Sequence, residues 1–206
     1  MSTFERAKSE KNTASADNLE NHFLVAMPHL HDPYFNKTIT YLWKHSEEGA
    51  MGIIVNKPSR MRVSELLHEM RVQAKDADLH RILHKERVLT GGPVEKHKGF
   101  ILHDSCQEWS YTLPLTDHVS LTMSKDILED IAAGKGPAKY LIAMGCAGWV
   151  SGQLEEEISN NVWLTVPATP ELLFSRDYDS KPGAAVALLG LTMSQLWSPS
   201  AGHQKQ

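Results

Sequence analysis

The segment Leu141–Glu157, LIAMGCAGWVSGQLEEE, constrains this chain more than any other. Tyr140–Met144 is apolar enough for a buried strand, and Leu154 and Ile158, four apart beside Glu155-Glu156-Glu157, predict an amphipathic helix over 150–159. Gly145-Cys146-Ala147-Gly148-Trp149 between them reads as a glycine turn. A strand that feeds a helix in this way presents free backbone N–H groups at the helix start, where an anion or a thiolate is favoured. The same arrangement also serves as a tight packing corner.

The other apolar segments are short and separated by turn chemistry. Phe23–Met27 reads as a strand stopped by Pro28. Thr38–Trp43 and Ala50–Asn56 are strands joined across Glu47-Glu48-Gly49, a connection of hairpin length that favours antiparallel pairing. Further strands are expected at Val88–Thr90, Gly99–His103, Trp109–Thr112, Val119–Thr122 and Val162–Val166. Helices are expected behind Ser64 as N-cap, from a Ser124 cap through Ile131, at Thr169-Pro170-Glu171, and over Ala184–Leu189. Leu79, Ile82 and Leu83 add a stretch of helical spacing. Hairpin-length links argue for an α+β chain with a mixed, mainly antiparallel sheet and flanking helices, not a doubly wound parallel sheet.

At 206 residues, one compact domain suffices, here 19–197, with polar tails at 1–18 and 198–206. Hydrophobic residues at 41% and charged residues at 22% exclude wholesale disorder. No apolar run approaches the roughly 20 residues of a bilayer span, so no membrane partner is expected. The first residues lack the apolar core of a secretory signal. Cys106 and Cys146 are too few for a disulfide framework, and a cytoplasmic location follows as the expectation. The net charge is −4, and the densest basic stretch, His80–Arg87, is interrupted by Ile82 and Leu83 and reads as a solvated helix face. No direct nucleic-acid binding is expected.

Cys146 is the candidate nucleophile, because a helix N-terminus lowers a thiol pKa. A nucleophile elbow, however, places its nucleophile two residues after the first glycine, and Cys146 follows Gly145 directly with no local histidine. Packing is the simpler account. Gln153 and Glu156, three apart, are a candidate polar pair facing a cleft. Gly91-Gly92-Pro93-Val94 offers either an anion nest or a tight turn between strands. His29, His31 and Asp32 share one side of an extended segment, as metal ligands do, but need His45 or His103 to complete a set. No metal and no cofactor is assigned. Trp43, Trp149 and Trp163 read as core anchors, Trp149 also able to wall a pocket. The candidate ligand or partner site is therefore Gly91, Gly92, His103, Gly145, Cys146, Gly148, Trp149, Gln153 and Glu156, with no catalytic residue assigned.

Taken together, these segments resemble the AlgH/YqgE family of bacterial proteins. The resemblance rests on Asn21–Pro58, Gly91–Val94, Gly99–His103, Gly148-Trp149, Gly152–Glu155, Asn161 with Trp163, Leu172–Phe174 and Gly202-His203. It implies a cytosolic α+β protein whose sheet curls into a barrel-like shape and whose biochemical activity is not established. One member links the family to transcriptional control of exopolysaccharide synthesis, without a recognisable DNA-binding module. Many members carry a non-thiol residue at the position of Cys146, and a tryptophan is usual near Lys181-Pro182-Gly183, so the last helix is expected to start late. The expected function is a non-enzymatic regulatory or interaction protein with a protein partner or small ligand. The alternative is a small-molecule-binding protein, or a hydrolase-like or thiol enzyme, with its site at the Gly145–Trp149 strand–helix turn.

Overall fold

The computed structural model describes residues 18–105 and 107–197; the expected tails, residue 18 apart, lie outside the described residues, as do Cys106 and Gly202-His203. Ten strands make one curled sheet. In chain order they are β1 (His22–Ala26), β2 (Ile39–Ser46), β3 (Gly49–Ile54), β4 (Pro58–Arg62), β5 (Arg87–Thr90), β6 (Val94–His103), β7 (Thr112–Thr116), β8 (Val119–Thr122), β9 (Tyr140–Val150) and β10 (Trp163–Pro167). The helices are α1 (Val63–Glu69), α2 (Ala77–Lys85), α3 (Asp126–Ala132), α4 (Gln153–Ser159), α5 (Pro170–Leu173), α6 (Lys181–Ala187) and α7 (Met193–Trp197). The strand order is β10-β1-β2-β3-β9-β6-β8-β7, with β4 joined through β5, which pairs with β9. All of these pairings are antiparallel except β5 on β9. The fold is α+β with a mixed, mainly antiparallel sheet curled as a half-barrel, as the hairpin links require.

The expected glycine turn does not exist. β9 runs unbroken through Gly145–Trp149 to Val150, and α4 starts only at Gln153 behind Gly152. Both edges of β9 are occupied. On one side β6 pairs along it; on the other β5 pairs at Ala143 and Met144, then β3 takes over from Ala147 to Val150. Pairing with β6 as far as Cys146 and with β3 from Ala147 onward holds these residues extended despite their glycines.

Gly145 has a different task. Its φ of +76° makes a bulge, and opposite it β6 passes from Val94, facing Cys146, to Gly99, facing Met144. The bulge shifts the pleat by one residue. Before it, Leu141 and Ala143 point into the barrel core; after it, Cys146 does, while Ala147 and Trp149 pack on the opposite face. The barrel core also takes Phe23, Val25, Tyr41 and Phe100. A second cluster under α1, α2 and α3 contains Leu67, Leu83, Ile127 and Ile142.

Other boundaries also moved. α1 begins at Val63 because the Glu65 carboxylate accepts the Arg62 N–H at 2.7 Å; Ser64 sits inside the helix and turns to His84. Asp76, not anticipated as a cap, accepts the Leu79 N–H at 2.8 Å and starts α2. α3 follows Lys125, not a Ser124 cap. β4 and the first half of β6 were not expected, and β7 lies at Thr112–Thr116, past Trp109, which is buried beside His103. α5 starts at Pro170 as expected, and Thr169 caps it by accepting the Leu172 N–H at 3.3 Å. α6 begins early, at Lys181, and α7 follows it. No helix among the described residues is long and apolar enough to cross a membrane.

Candidate functional site

The two glycine motifs do meet, through their backbones. The Gly91 N–H donates to the Met144 carbonyl of β9 at 2.8 Å, and the Gly91 carbonyl accepts the Ile54 N–H of β3 at 2.8 Å. Gly91 thus stitches the point where β5 leaves β9 and β3 replaces it. A Cβ on Gly91 would stand 2.1 Å from the Gly145 carbonyl oxygen, and one on Gly92 would stand 2.3 Å from the Cys146 carbonyl. A Cβ on Gly145 would lie 2.6 Å from the Gly92 oxygen. The approach is a backbone contact with no room for a ligand between. Cys146 is a free thiol, 0% exposed, in the middle of a strand. Burial, assisted by the Glu95 carboxylate, pushes its pKa above the ordinary thiol value. A helix N-terminus is not there to activate it.

His103 lies elsewhere. It pairs with Tyr140 at the far end of β9, about 20 Å along the strand from Cys146 at 3.3 Å per residue. Its ring is fully buried, edge-on to Trp109 at 5.0 Å. Nδ1 stands 2.7 Å from the Asp104 carbonyl, which can only accept, so Nδ1 carries the proton. Nε2 then accepts from Thr122 Oγ1 at 2.8 Å; that oxygen accepts from Thr112 Oγ1 at 2.7 Å, which accepts the Trp109 N–H at 2.8 Å. The chain is complete only with a neutral imidazole. Burial accordingly lowers the His103 pKa.

Gln153 and Glu156 do not act as a pair. Glu156 is exposed, whereas Gln153 accepts the Val150 N–H at 3.1 Å and donates to Glu157 at 2.9 Å. Glu157 is the residue that sequence reasoning missed. Its other oxygen accepts both indole N–H groups, Trp149 at 2.9 Å and Trp163 at 2.7 Å. The indoles meet edge to face at 6.0 Å, and Phe35 packs edge-on to Trp163 at 5.5 Å. The i, i+4 spacing of Gln153 and Glu157 was the available signal. Gly148 pairs with Met51 of β3 and brings Trp149 to this cluster, so the polar residues around Trp149 serve its packing.

The histidine segment holds no ligand set. Asp32 accepts the Tyr34 and Phe35 N–H groups at 2.8 and 3.0 Å, His45 bonds Glu155 at 2.7 Å, and His103 is spent as described. Among the described residues no three His, Cys, Asp or Glu side chains are grouped to hold a metal.

Two features outside the anticipated set stand out. Lys181 is 0% exposed at the start of α6; its Nζ donates to the Val55 carbonyl at 2.9 Å and the Leu173 carbonyl at 2.8 Å, over the Tyr178 ring. Burial, with Arg176 nearby, brings its pKa down to about 7. Next to it opens a mainly apolar cleft of about 600 Å³ between the end of β1 and α6, walled by Met27, Pro28, Pro182, Gly183 and Met193, with Lys37 and Asp179 also on its wall.

Comparison with known proteins agrees with this architecture. The AlgH-like family profile matches residues 23–194. A UPF0301 protein of Marinomonas sp. (strain MWYL1) is 48% identical over 187 residues, spanning 91% of this chain and 97% of its own. The UPF0301 protein AlgH of Pseudomonas aeruginosa is 44% identical over 185 residues, 90% of this chain and 95% of its own. The solution structure of AlgH from P. aeruginosa superposes with a TM-score of 0.74 at 42% identity, covering 94% of this chain and all (100%) of that one. A Corynebacterium diphtheriae protein, DIP2367, shares the fold at a TM-score of 0.69 and 18% identity, covering 89% of this chain and 93% of its own. The chain belongs to the AlgH-like family.

Proposed function

We propose that this protein acts by binding rather than by making or breaking bonds: a cytoplasmic regulatory or interaction protein whose influence on transcription, as the family resemblance implies, is indirect. One observation carries this reading. The residues that sequence alone offers for chemistry are employed in the scaffold, Gly91 and Gly145 as a backbone junction, Cys146 as core and His103 inside a saturated hydrogen-bond chain. The apolar cleft beside α6 is a concave surface suited to a ligand. Its volume of about 600 Å³ falls in the range of small-molecule sites, and its walls call for a small, mainly apolar compound whose polar ends reach Lys37 and Asp179. A net charge of −4 argues against a nucleic acid.

A thermal-shift screen of small apolar acids and amines tests the reading. Hits should raise the melting temperature of the natural protein and lose their effect in Gly183→Leu, which fills the cleft from α6, where a Cβ meets only Met193 at 3.7 Å. Catalytic turnover abolished by one polar substitution would overturn it.

A further inference from the structure

Another concave surface lies between α1 and α2. It measures about 730 Å³ and is lined by His68, His80 and His84 together with Ser64, Glu65 and Glu69. The three imidazoles are exposed. His80 and His84 are four residues apart on α2, so they project from one face, and their rings lie nearly parallel, 13° between planes and 6.1 Å between centroids. The helix beneath them is anchored at its start by the Asp76 cap, and its Leu83 is buried in the core under α1. Two imidazoles on one rigid face are therefore already paired before any ligand arrives.

The decisive contact is on the other side of His84. Ser64 Oγ lies 3.0 Å from His84 Nδ1. When Nδ1 carries the proton, Ser64 accepts it and the Nε2 lone pair of His84 is left free beside His80. Metal-binding histidines are held in this way, with the second ring nitrogen donating to an oxygen that fixes tautomer and orientation. Tetrahedral coordination at 2.0–2.1 Å needs the two nitrogens about 3.3 Å apart, within reach of small side-chain rotations from the stacked pair.

We propose that His80 and His84 form a two-imidazole site for a borderline divalent transition ion such as Zn²⁺, with Ser64 as the positioning residue for His84. No third side chain is assembled with them among the described residues, so solvent completes the coordination shell and the site is open and exchangeable. Glu65 and Glu69 on the same cavity outnumber its one cationic side chain, Arg60, although Glu65 already accepts the Arg62 N–H. Imidazole nitrogens suit zinc, copper and nickel better than magnesium or calcium, which sets the ion class.

The test is a calorimetric titration of Zn²⁺ into the chelator-treated full chain in a non-coordinating buffer. One site is expected, weakened by about tenfold or more in His80→Ala and in His84→Ala and by roughly tenfold in Ser64→Ala. His97→Ala, which removes an exposed imidazole from β6, should leave it unchanged. Circular dichroism confirms that each variant is folded; His80 and His84 are exposed on α2, whereas Ser64 is buried on α1. Equal Zn²⁺ affinity in the natural protein and in both histidine variants overturns the proposal, as does Mg²⁺ competing at equal concentration. Failure here leaves the apolar-cleft reading intact, because the two surfaces share no residue.

Discussion

A thiol reacts as its thiolate, so the surroundings of Cys146 decide whether it is chemistry or filling. It faces the barrel core with Val25, Phe100 and Leu141, and burial holds it protonated. In a Cys106→Ser background, native Cys146 should resist thiol reagents at neutral pH and react fully only in denaturant; rapid labelling of the folded protein would contradict this. Cys146→Ser should cost about 1–3 kcal/mol, because a hydroxyl enters an apolar site without a partner. His103 gives a matching case with the opposite sign of charge. Its pKa is lowered in the fold, so the unfolded chain takes up the proton first as pH falls below about 6.5. The stability contributed by the neutral ring is whole above that value and declines as pH falls towards the depressed folded pKa. Urea denaturation at pH 8, 6.5 and 5.5 should show this loss, and His103→Gln should reduce the slope. An unchanged slope would remove the neutral-ring account.

At the scale of the element, β9 organises the molecule because it belongs to two sets of partners. Gly145→Ala tests this at its weakest point. An alanine there must hold φ near +76° and bring its Cβ to 2.6 Å from the Gly92 oxygen. We expect a loss on the order of 3 kcal/mol, strain and clash together, seen as a large fall in melting temperature. Gly148→Ala, whose Cβ would meet only Val94 at 3.7 Å, should cost far less and serves as the control. The hairpin of β2 and β3 was legible in the sequence because β-branched and aromatic residues flank a short turn. The course of β9 was not. Glycines between an apolar run and an acidic helix signal a turn locally, but here ladder bonds from three neighbouring strands override that preference. The same blindness hid Glu157. Its role depends on Trp163, which arrives from β10 after the helix has turned back, and a spacing of i, i+4 with Gln153 gives only half of that arrangement. Residues whose partners come from another layer were not readable, and even some local caps, Asp76 among them, were missed.

At the scale of the whole molecule, one side chain ties α6 to the sheet. Lys181 reaches through the interior to the end of β3 at Val55 and to α5 at Leu173, joining three parts of the chain far apart in sequence. Among the described residues no carboxylate bonds its Nζ. The cation is therefore costly, and the pKa falls from the ordinary 10.5 to about 7. Between these values the unfolded chain holds one more proton than the folded one. Stability due to this group must then rise with pH from about 7 to about 10.5, by at most roughly 1.4 kcal/mol per pH unit, and be flat below 7. Lys181→Met keeps the apolar stem but cannot titrate, and it leaves two carbonyls without their donor. The variant should lag furthest behind the natural protein near pH 9.5, where the neutral amine still donates both bonds without a buried charge. The gap should narrow steadily towards pH 7, where the natural protein bears the charged form. Urea midpoints measured at pH 7, 8 and 9.5 for both proteins read this directly. Parallel curves across that interval would mean that Lys181 is charged throughout, and that the closure of α6 against the half-barrel does not depend on its proton.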